Sequence, residues 1–338
     1  MTVGPVALER QTFVASGGAT YDPTSDAGAV GVALAGRRSG AGALARPAAR
    51  RWPAPRALAE LLKPVTWFPP MWAFACGVVA AGPRHASWPA LALGVCVAGP
   101  LVCGASQAVN DWFDRDVDAV NEPGRAIPSG RVPGRWGLGL AAGWSVLALG
   151  AGALLGAAGL AATALALGLG WAYSAPPLRL KQNGWLGNLA CGLSYESLAW
   201  VTGAAVALGG AWPPAPALTL ALLYGLGAHG IMTLNDFKSV AGDRLCGVRS
   251  LPVQLGAAAA ARVACVVMLA PQLLVVALLA AWDSAAAAGA VAALVGVQLV
   301  LMRRFLHDVT PRSALVYSAF GVPFYVLGMM AAAAGVRP

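Results

Sequence analysis

Acidic side chains are scarce in this chain, yet five of its fourteen Asp and Glu residues lie between Asp111 and Glu122. At about 100° per residue, an α-helix through this stretch would place Asn110, Asp114 and Asp118 on one face. Asp111 falls within the same arc. Like charges four residues apart on a helix repel, so we expect a bound cation to stabilise them. Magnesium suits this role because it prefers carboxylate and phosphate oxygens and often bridges the two.

A second acidic pair, Asp236 and Asp243, follows a later apolar segment. The two residues are seven positions apart, so a helix continuing through both would place them on nearly the same face. Both acidic groups end even-numbered apolar segments and would face each other across one cavity. We predict a catalytic set of Asn110, Asp114, Asp118, Asp236 and Asp243. The predicted Mg²⁺ ligands are Asn110, Asp111, Asp114, Asp118, Asp236 and Asp243.

Two such acidic faces suit the transfer of a group from a diphosphate. The leaving diphosphate carries several negative charges, and Mg²⁺ with nearby Arg and Lys neutralises the charge that builds as its bond to carbon breaks. The candidates for the basic, diphosphate-binding role are Arg125, Arg131, Lys181, Lys238 and Arg249. Each of them has the alternative role of a lipid-facing charge or a charge that sets membrane topology.

The composition excludes an ordinary soluble domain. Hydrophobic residues make up 58% of the 338 residues and charged residues only 11%, whereas a soluble domain carries about 25% charged residues. Residues 1–60, rich in Gly, Ala, Pro and Arg, are predicted to be a disordered basic cytoplasmic tail. Residues 61–338 are predicted to form an all-α membrane domain of nine spans. The predicted spans are 66–82, 88–109, 137–153, 156–174, 185–208, 216–235, 257–281, 285–302 and 313–334.

Basic residues are distributed very unevenly between the two sides of this predicted topology. With a cytoplasmic N-terminus, all of the 23 Lys and Arg residues except Arg84 and Arg337 lie on the cytoplasmic side. This asymmetry is the positive-inside rule, and it predicts a periplasmic C-terminus. The net charge of +9 then suits anionic lipid heads and an anionic substrate, and it requires no nucleic-acid partner.

The acidic motifs resemble those of the UbiA-type intramembrane prenyltransferases. Asn110-Asp111-x-x-Asp114-x-x-x-Asp118 is similar to the first signature of that family, and Asp236 with Asp243 is similar to the second. The resemblance covers about residues 60–335. It implies an all-helical, nine-helix bundle in the lipid bilayer, Mg²⁺ as cofactor and a prenyl diphosphate as substrate.

Shorter motifs resemble the branch of the family that esterifies chlorophyll-type pigments. They comprise residues 63–72, 118–123, 173–178, 235–239 and 249–252. The versions at residues 68–72 and 228–232 resemble the bacteriochlorophyll-forming members of this branch. This resemblance implies transfer of a geranylgeranyl or phytyl group to the propionate of a bacteriochlorophyllide. It also implies a location in the inner membrane or in a photosynthetic intracytoplasmic membrane, and partners among pigment-biosynthesis or photosynthetic assembly proteins.

Two ionisable residues lie deep within predicted spans, where such groups usually face a cavity or a partner. Glu196 is predicted to line the acceptor pocket, its alternative being a hydrogen-bonded structural acid. His229 lies seven residues before Asp236 and is predicted to contact the pigment on the same face. Its alternative is a core histidine that bonds a neighbouring helix.

Two other functions compete with pigment esterification. The first is a prenyltransferase of the same family with another acceptor: chlorophyllide, a quinone precursor or haem. The second is an ion-coupled transporter, in which intramembrane acids mark an ion path. A transporter would carry charges at mid-membrane in several spans, whereas only Glu196 and His229 lie deep in this sequence.

Overall fold

A computed structural model describes residues 52–82 and 85–338, and its regular structure is helical over those residues. Within these two ranges the chain forms fifteen α-helices, α1 to α15 in chain order. The first eight are α1 Pro55–Leu61, α2 Phe68–Ala81, α3 Trp88–Cys96, α4 Gly104–Asn121, α5 Trp136–Ala153, α6 Gly156–Ser174, α7 Gly184–Gly192 and α8 Ala199–Ala207. The remaining seven are α9 Ala215–Asp236, α10 Val240–Leu245, α11 Leu251–Leu255, α12 Ala257–Ala281, α13 Ala285–His307, α14 Pro311–Phe320 and α15 Val322–Gly335.

Within the described residues, seven helical stretches are long and apolar enough to cross a membrane. They are Trp88–Ala119, Trp136–Ala153, Gly156–Ser174, Ala215–Asp236, Ala257–Ala281, Ala285–His307 and Pro311–Gly335. The bent pair Pro55–Thr66 and Phe68–Ala81 would make eight. The protein is therefore a multi-pass membrane protein, but the predicted count of nine is not confirmed. The predicted segment 185–208 is helical almost throughout, but it is not among these stretches.

In the described part of the chain, two stretches of π-helix interrupt the bundle. Val97–Cys103 joins α3 to α4, and Leu193–Leu198 joins α7 to α8. The first contains Pro100, which cannot donate the backbone hydrogen bond of a regular helix. The carbonyl of Pro100 accepts a hydrogen bond from the indole of Trp144 at 2.9 Å. Such π-segments are frequent at functional sites.

Glycines allow α2 and α8 to pack backbone to backbone. A Cβ at Gly77 would overlap the Trp200 carbonyl, and a Cβ at Gly203 would overlap that of Phe74. In lipid, where apolar burial does not drive helices together, small residues at crossings bring backbones close enough for tight packing. The abundance of glycine in this chain thus has a direct structural use at this crossing.

The helix α1 lies inside the segment predicted to be a disordered tail. Ala57 and Leu61 of this helix are buried against Ala126 and Val132. The prediction of disorder is therefore wrong from Pro55 onward, because apolar contacts hold this helix against the loop that follows α4. Residues 1–51, the rest of the predicted tail, lie outside the described residues.

Candidate active site

The helix α4 carries the first acidic group into a polar cavity of about 380 Å³. Asn110, Asp114 and Asp118 all line this cavity, as their four-residue spacing on one helix predicts. The Asn110 amide donates a hydrogen bond to Asp114 at 3.0 Å. Three polar side chains from one helix face therefore form one wall of the cavity.

Asp236 and Asp243 line the same cavity from the other side. The helix predicted to continue through both residues is instead broken by a turn at residues 237–239. Asp236 ends α9, and Asp243 lies in the short helix α10. The turn, and not a common helix face, thus brings the second pair of carboxylates to the cavity that the first group lines.

Two neutral side chains hold these carboxylates in position. Asn188 of α7 donates a hydrogen bond to Asp236 at 2.9 Å and another to Thr233 at 3.2 Å. Ser239, in the turn, donates to Asp243 at 3.0 Å. Asn188 was not predicted from the sequence, because its partner lies 48 residues away in the chain.

Of the five basic residues predicted to bind diphosphate, Lys181 lines the polar cavity. Its ammonium group contacts Asp114 at 2.5 Å, and its side chain is 11% exposed. Burial lowers the pKa of Lys181, while the neighbouring Asp114 carboxylate opposes that shift. Arg179 also lines the cavity and lies 3.4 Å from Asp114. Arg179 was not among the predicted diphosphate-binding residues, although its position two residues before Lys181 was a usable signal.

Arg125 does not line the polar cavity, but it contacts one of its walls. It donates hydrogen bonds to Asp118 at 2.9 Å and to Glu122 at 2.8 Å. The hydrogen bond with Glu122 raises the pKa of Arg125 and lowers that of Glu122. Arg125 thus pairs with Asp118 of the first acidic group from outside the cavity.

The other three predicted basic residues do not line the cavity. Arg131 pairs with Glu60 at 2.5 Å, and this hydrogen bond raises the pKa of Arg131. The backbone of Arg249 binds the start of α7: its carbonyl accepts a hydrogen bond from the Gly184 amide at 2.8 Å. Lys238 lies in the turn after α9, outside the cavity lining. Helix rotation and loop path, which spacing alone does not determine, place these three cations elsewhere.

Asp111 differs from its acidic neighbours. It is buried and accepts a hydrogen bond from Lys63 at 2.7 Å, with Arg125 at 3.6 Å. Asp111 does not line the polar cavity. Its predicted role as a Mg²⁺ ligand is thus not supported by its position, and the Lys63 pair joins α4 to the segment before α2.

A larger apolar cavity of about 610 Å³ lies next to the polar one. Asn188 lines the polar cavity, and Cys191, one helical turn further along, lines the apolar cavity. In the same way Asp236 lines the first, and the preceding Asn235 lines the second. The two cavities therefore adjoin along the same helices.

The two deep ionisable residues have different environments. Glu196 lines the apolar cavity, and its assignment to the acceptor pocket stays a prediction. His229 lines neither of these two cavities, and its ring packs against that of Trp185 with 5.6 Å between centroids. His229 is only 6% exposed and its Nδ1 has no hydrogen-bond partner among the described residues, so its contact with a pigment stays a prediction.

The arrangement defines a class of membrane enzyme: a helical bundle with a carboxylate-lined polar cavity adjoining an apolar one. The UbiA prenyltransferase family model matches residues 70–324. The chain belongs to the UbiA prenyltransferase family and is a prenyltransferase.

Among curated relatives, the chain is similar to bacteriochlorophyll synthases and chlorophyll synthases. It is 53% identical to the bacteriochlorophyll synthase 33 kDa chain of Cereibacter sphaeroides, over 85% of this chain and 95% of that relative. It is 45% identical to the bacteriochlorophyll synthase 34 kDa chain of Chloroflexus aurantiacus, over 82% and 89%. It is 39% identical to the chloroplastic chlorophyll synthase of Arabidopsis thaliana, over 81% and 73%.

Solved structures of the same fold include a UbiA homologue from Archaeoglobus fulgidus bound to DMAPP and Mg²⁺. That protein superposes with a TM-score of 0.62 at 21% identity, over 83% of this chain and 99% of its own. A structure of digeranylgeranylglyceryl phosphate synthase superposes with a TM-score of 0.66 at 20% identity, over 83% and 98%. At these identities the likeness establishes the fold alone.

Proposed function

We propose that this chain transfers a geranylgeranyl or phytyl group from its diphosphate to the propionate of a bacteriochlorophyllide. The observation that carries the proposal is the pair of adjoining cavities, one lined by four carboxylates and the other apolar. The bacteriochlorophyll synthase relatives support this choice of acceptor. The two cavities match the two parts of each substrate, a charged reacting end and a large apolar body.

The polar cavity has a donor set that fits Mg²⁺. Asp114 and Asp118 on one side, and Asp236 and Asp243 on the other, offer the hard oxygen ligands that Mg²⁺ prefers. Among residues 52–82 and 85–338, no three His, Cys, Asp or Glu side chains converge on one metal position. Diphosphate oxygens would therefore complete the ligand set. When bound, Mg²⁺ would supply charge neutralisation for the leaving group.

The chain's own residues account for the remaining requirements of the reaction. Lys181 and Arg179 lie at the cavity wall, where they would bind the departing diphosphate. The bond between C1 of the prenyl group and the diphosphate oxygen breaks, and the electron pair leaves with the diphosphate. A propionate oxygen then forms the new bond to C1. Because a propionate is already ionised near neutral pH, this step needs no general base.

The apolar cavity provides the environment that the allylic cation requires. Trp72, Met232 and Val326 are among its lining residues. Such walls exclude water, which would otherwise hydrolyse the cation before the propionate attacks. The cavity also provides apolar surface for the pigment ring and the prenyl chain.

The orientation in the membrane is part of the proposal. We infer that the polar cavity opens to the cytoplasm, that the N-terminus is cytoplasmic and that the C-terminus is periplasmic. The concentration of Arg and Lys in the loops at the polar-cavity end supports this orientation. The membrane would be the inner membrane or a photosynthetic intracytoplasmic membrane, where pigment-biosynthesis or photosynthetic assembly proteins would be its partners.

Reconstitution of the purified full-length protein tests the function. With Mg²⁺, bacteriochlorophyllide and geranylgeranyl diphosphate, it should release pyrophosphate and the esterified pigment in equal amounts. The matched control replaces the pigment by a phenolic acid, the acceptor type of a quinone pathway. Prenylation of the phenolic acid without esterification of the pigment would contradict the proposal.

A further inference from the structure

Glu196 is a buried carboxyl group with an unsatisfied oxygen in an apolar cavity. The residue is 7% exposed, and its Oε2 has no hydrogen-bond partner among the described residues. It is the one carboxyl group among the described residues that line the apolar cavity. Buried polar groups are nearly always hydrogen-bonded, so an unpaired one requires an explanation.

The local structure separates Glu196 from its neighbour Tyr195. Both residues lie in the π-helical segment Leu193–Leu198, and both line the cavity. The Tyr195 hydroxyl already accepts a hydrogen bond from Gln107 at 2.9 Å and contacts the Cys103 thiol at 3.4 Å. Both contacts reach the Tyr195 oxygen from within the bundle, whereas Oε2 of Glu196 has no partner among the described residues and keeps bonding capacity toward the cavity.

The depth of Glu196 matches the dimensions of a pigment ring. Asn188, which lines the polar cavity, lies eight residues earlier on the same helical run. At 1.5 Å per residue the two positions are about 12 Å apart. A macrocycle whose propionate reaches the polar cavity would therefore bring an opposite edge close to Glu196.

The chemistry of the group indicates what it would recognise. An unpaired carboxylate is costly in apolar surroundings, whereas the neutral acid donates one hydrogen bond through its hydroxyl. The matching ligand group is an acceptor without a charge. A carbonyl on the rim of the ring has this property, whereas a hydrocarbon substituent does not.

We propose that Glu196 donates a hydrogen bond to a ring carbonyl of the pigment acceptor and so selects and orients that acceptor. The inference rests on the proposed function and assigns a specificity role to one residue of the apolar cavity. Acceptors with a carbonyl at this rim position bind in preference to acceptors with a hydrocarbon group there. Glu196 is a positioning residue, since the reacting propionate lies at the other cavity.

Direct binding tests the role without turnover. The full-length protein in nanodiscs is titrated with bacteriochlorophyllide in the absence of prenyl diphosphate, and absorption reports binding. Glu196→Leu should raise the Kd by about tenfold, the loss expected for one buried hydrogen bond. Glu196→Gln keeps a donor and should stay within about threefold of the wild-type Kd. Ser197→Ala, at a buried neighbour bonded to the Ala221 carbonyl, is the matched control and should leave the Kd unchanged.

Vibrational spectra of the bound pigment identify the bond itself. One ring carbonyl should vibrate at a lower frequency in the wild-type complex than in the free pigment, and Glu196→Leu should restore the free value. If the Leu variant does not fold, Glu196→Gln provides the test. Its amide is a weaker hydrogen-bond donor, so the carbonyl frequency should be lowered less than in the wild-type complex. A carbonyl frequency unaffected by either substitution would overturn the proposal.

Two further outcomes separate hydrogen bonding by Glu196 from metal ligation and from a failure of the proposed function. A pigment without its central metal should show the same dependence on Glu196, and loss of that dependence would mean that Glu196 ligates the metal. If the wild-type protein esterifies bacteriochlorophyllide while Glu196→Leu binds it unchanged, only this inference fails. If the wild-type protein neither binds nor esterifies bacteriochlorophyllide, the proposed function itself fails.

Discussion

The ammonium group of Lys181 lies 2.5 Å from an oxygen of Asp114, although the two residues are 67 positions apart in the chain. Asp114 belongs to the first acidic group, and Lys181 to the loop between α6 and α7. The pair therefore brings a cation to the carboxylates that would hold Mg²⁺. Both residues line the polar cavity, where Lys181 is the predicted cation best placed to meet a diphosphate.

The two acidic groups should each be indispensable. Asp114→Asn and Asp236→Asn should each lower kcat at least about 100-fold, because each removes electrostatic stabilisation of the leaving diphosphate. Asp116→Asn is the control, since its side chain is 85% exposed and lies outside the cavity. Release of pyrophosphate at saturating Mg²⁺ measures the effect. Near-normal turnover in either cavity variant would show that the two groups do not form one site.

Lys181 and Arg131 should differ sharply, although the sequence predicted the same role for both. Lys181→Met should raise the KM for prenyl diphosphate about tenfold or more, the scale of one lost charge-assisted hydrogen bond. Arg131→Met should leave that KM nearly unchanged, because Arg131 pairs with Glu60 outside the cavity. Steady-state kinetics with varied prenyl diphosphate measure both. Equal effects of the two substitutions would contradict this assignment of the binding cation.

Asn188 should act through the metal site. Its amide holds Asp236 at 2.9 Å, and loss of such a supporting contact typically weakens metal affinity about 10- to 100-fold. Asn188→Ala should therefore raise the Mg²⁺ concentration needed for half-maximal turnover. The KM for bacteriochlorophyllide should change little. A parallel increase in both values would indicate a general packing defect.

Gln272 and Gln298 form a reciprocal hydrogen-bonded pair between α12 and α13. The two bonds measure 3.2 and 2.9 Å, and both side chains are fully buried. Leu at either position removes both hydrogen bonds between the two amides and leaves one buried amide without its partner on the other helix, although Gln272 keeps its bond to the Met268 carbonyl at 2.9 Å. Each single variant should therefore unfold more readily. The double variant should be less destabilised than the sum of the two, by about 1 kcal/mol. Reversible unfolding in detergent measures the free energy of unfolding of the wild type, both single variants and the double variant. If the two single losses add up to the loss in the double variant, the pair is not coupled.

The proposed orientation can be checked with two single cysteines. Ala211→Cys lies in the loop before α9 and should react with a reagent applied from the periplasm, whereas Ser129→Cys should react only from the cytoplasm. The native cysteines must first be replaced, since Cys96 and Cys246 are exposed. Labelling of both sites from the same side would refute the proposed topology.

Local patterns of the sequence determined the class of protein and the two acidic groups. The scarcity of charge requires a membrane environment, because too little polar surface is available for water. The four-residue spacing of Asn110, Asp114 and Asp118 places them on one face of any helix. These properties depend on neighbours along the chain, so they could be predicted before any tertiary contact was known.

The tertiary structure decided which residue meets which across the bundle. Asp111 is paired with Lys63 and excluded from the cavity, while its neighbour Asp114 faces Lys181. His229 packs against Trp185 and not into the apolar cavity. These outcomes depend on helix rotation, on the turn after α9 and on the π-helical segments. Each of these is set by packing between residues far apart in the chain, which residue spacing does not encode.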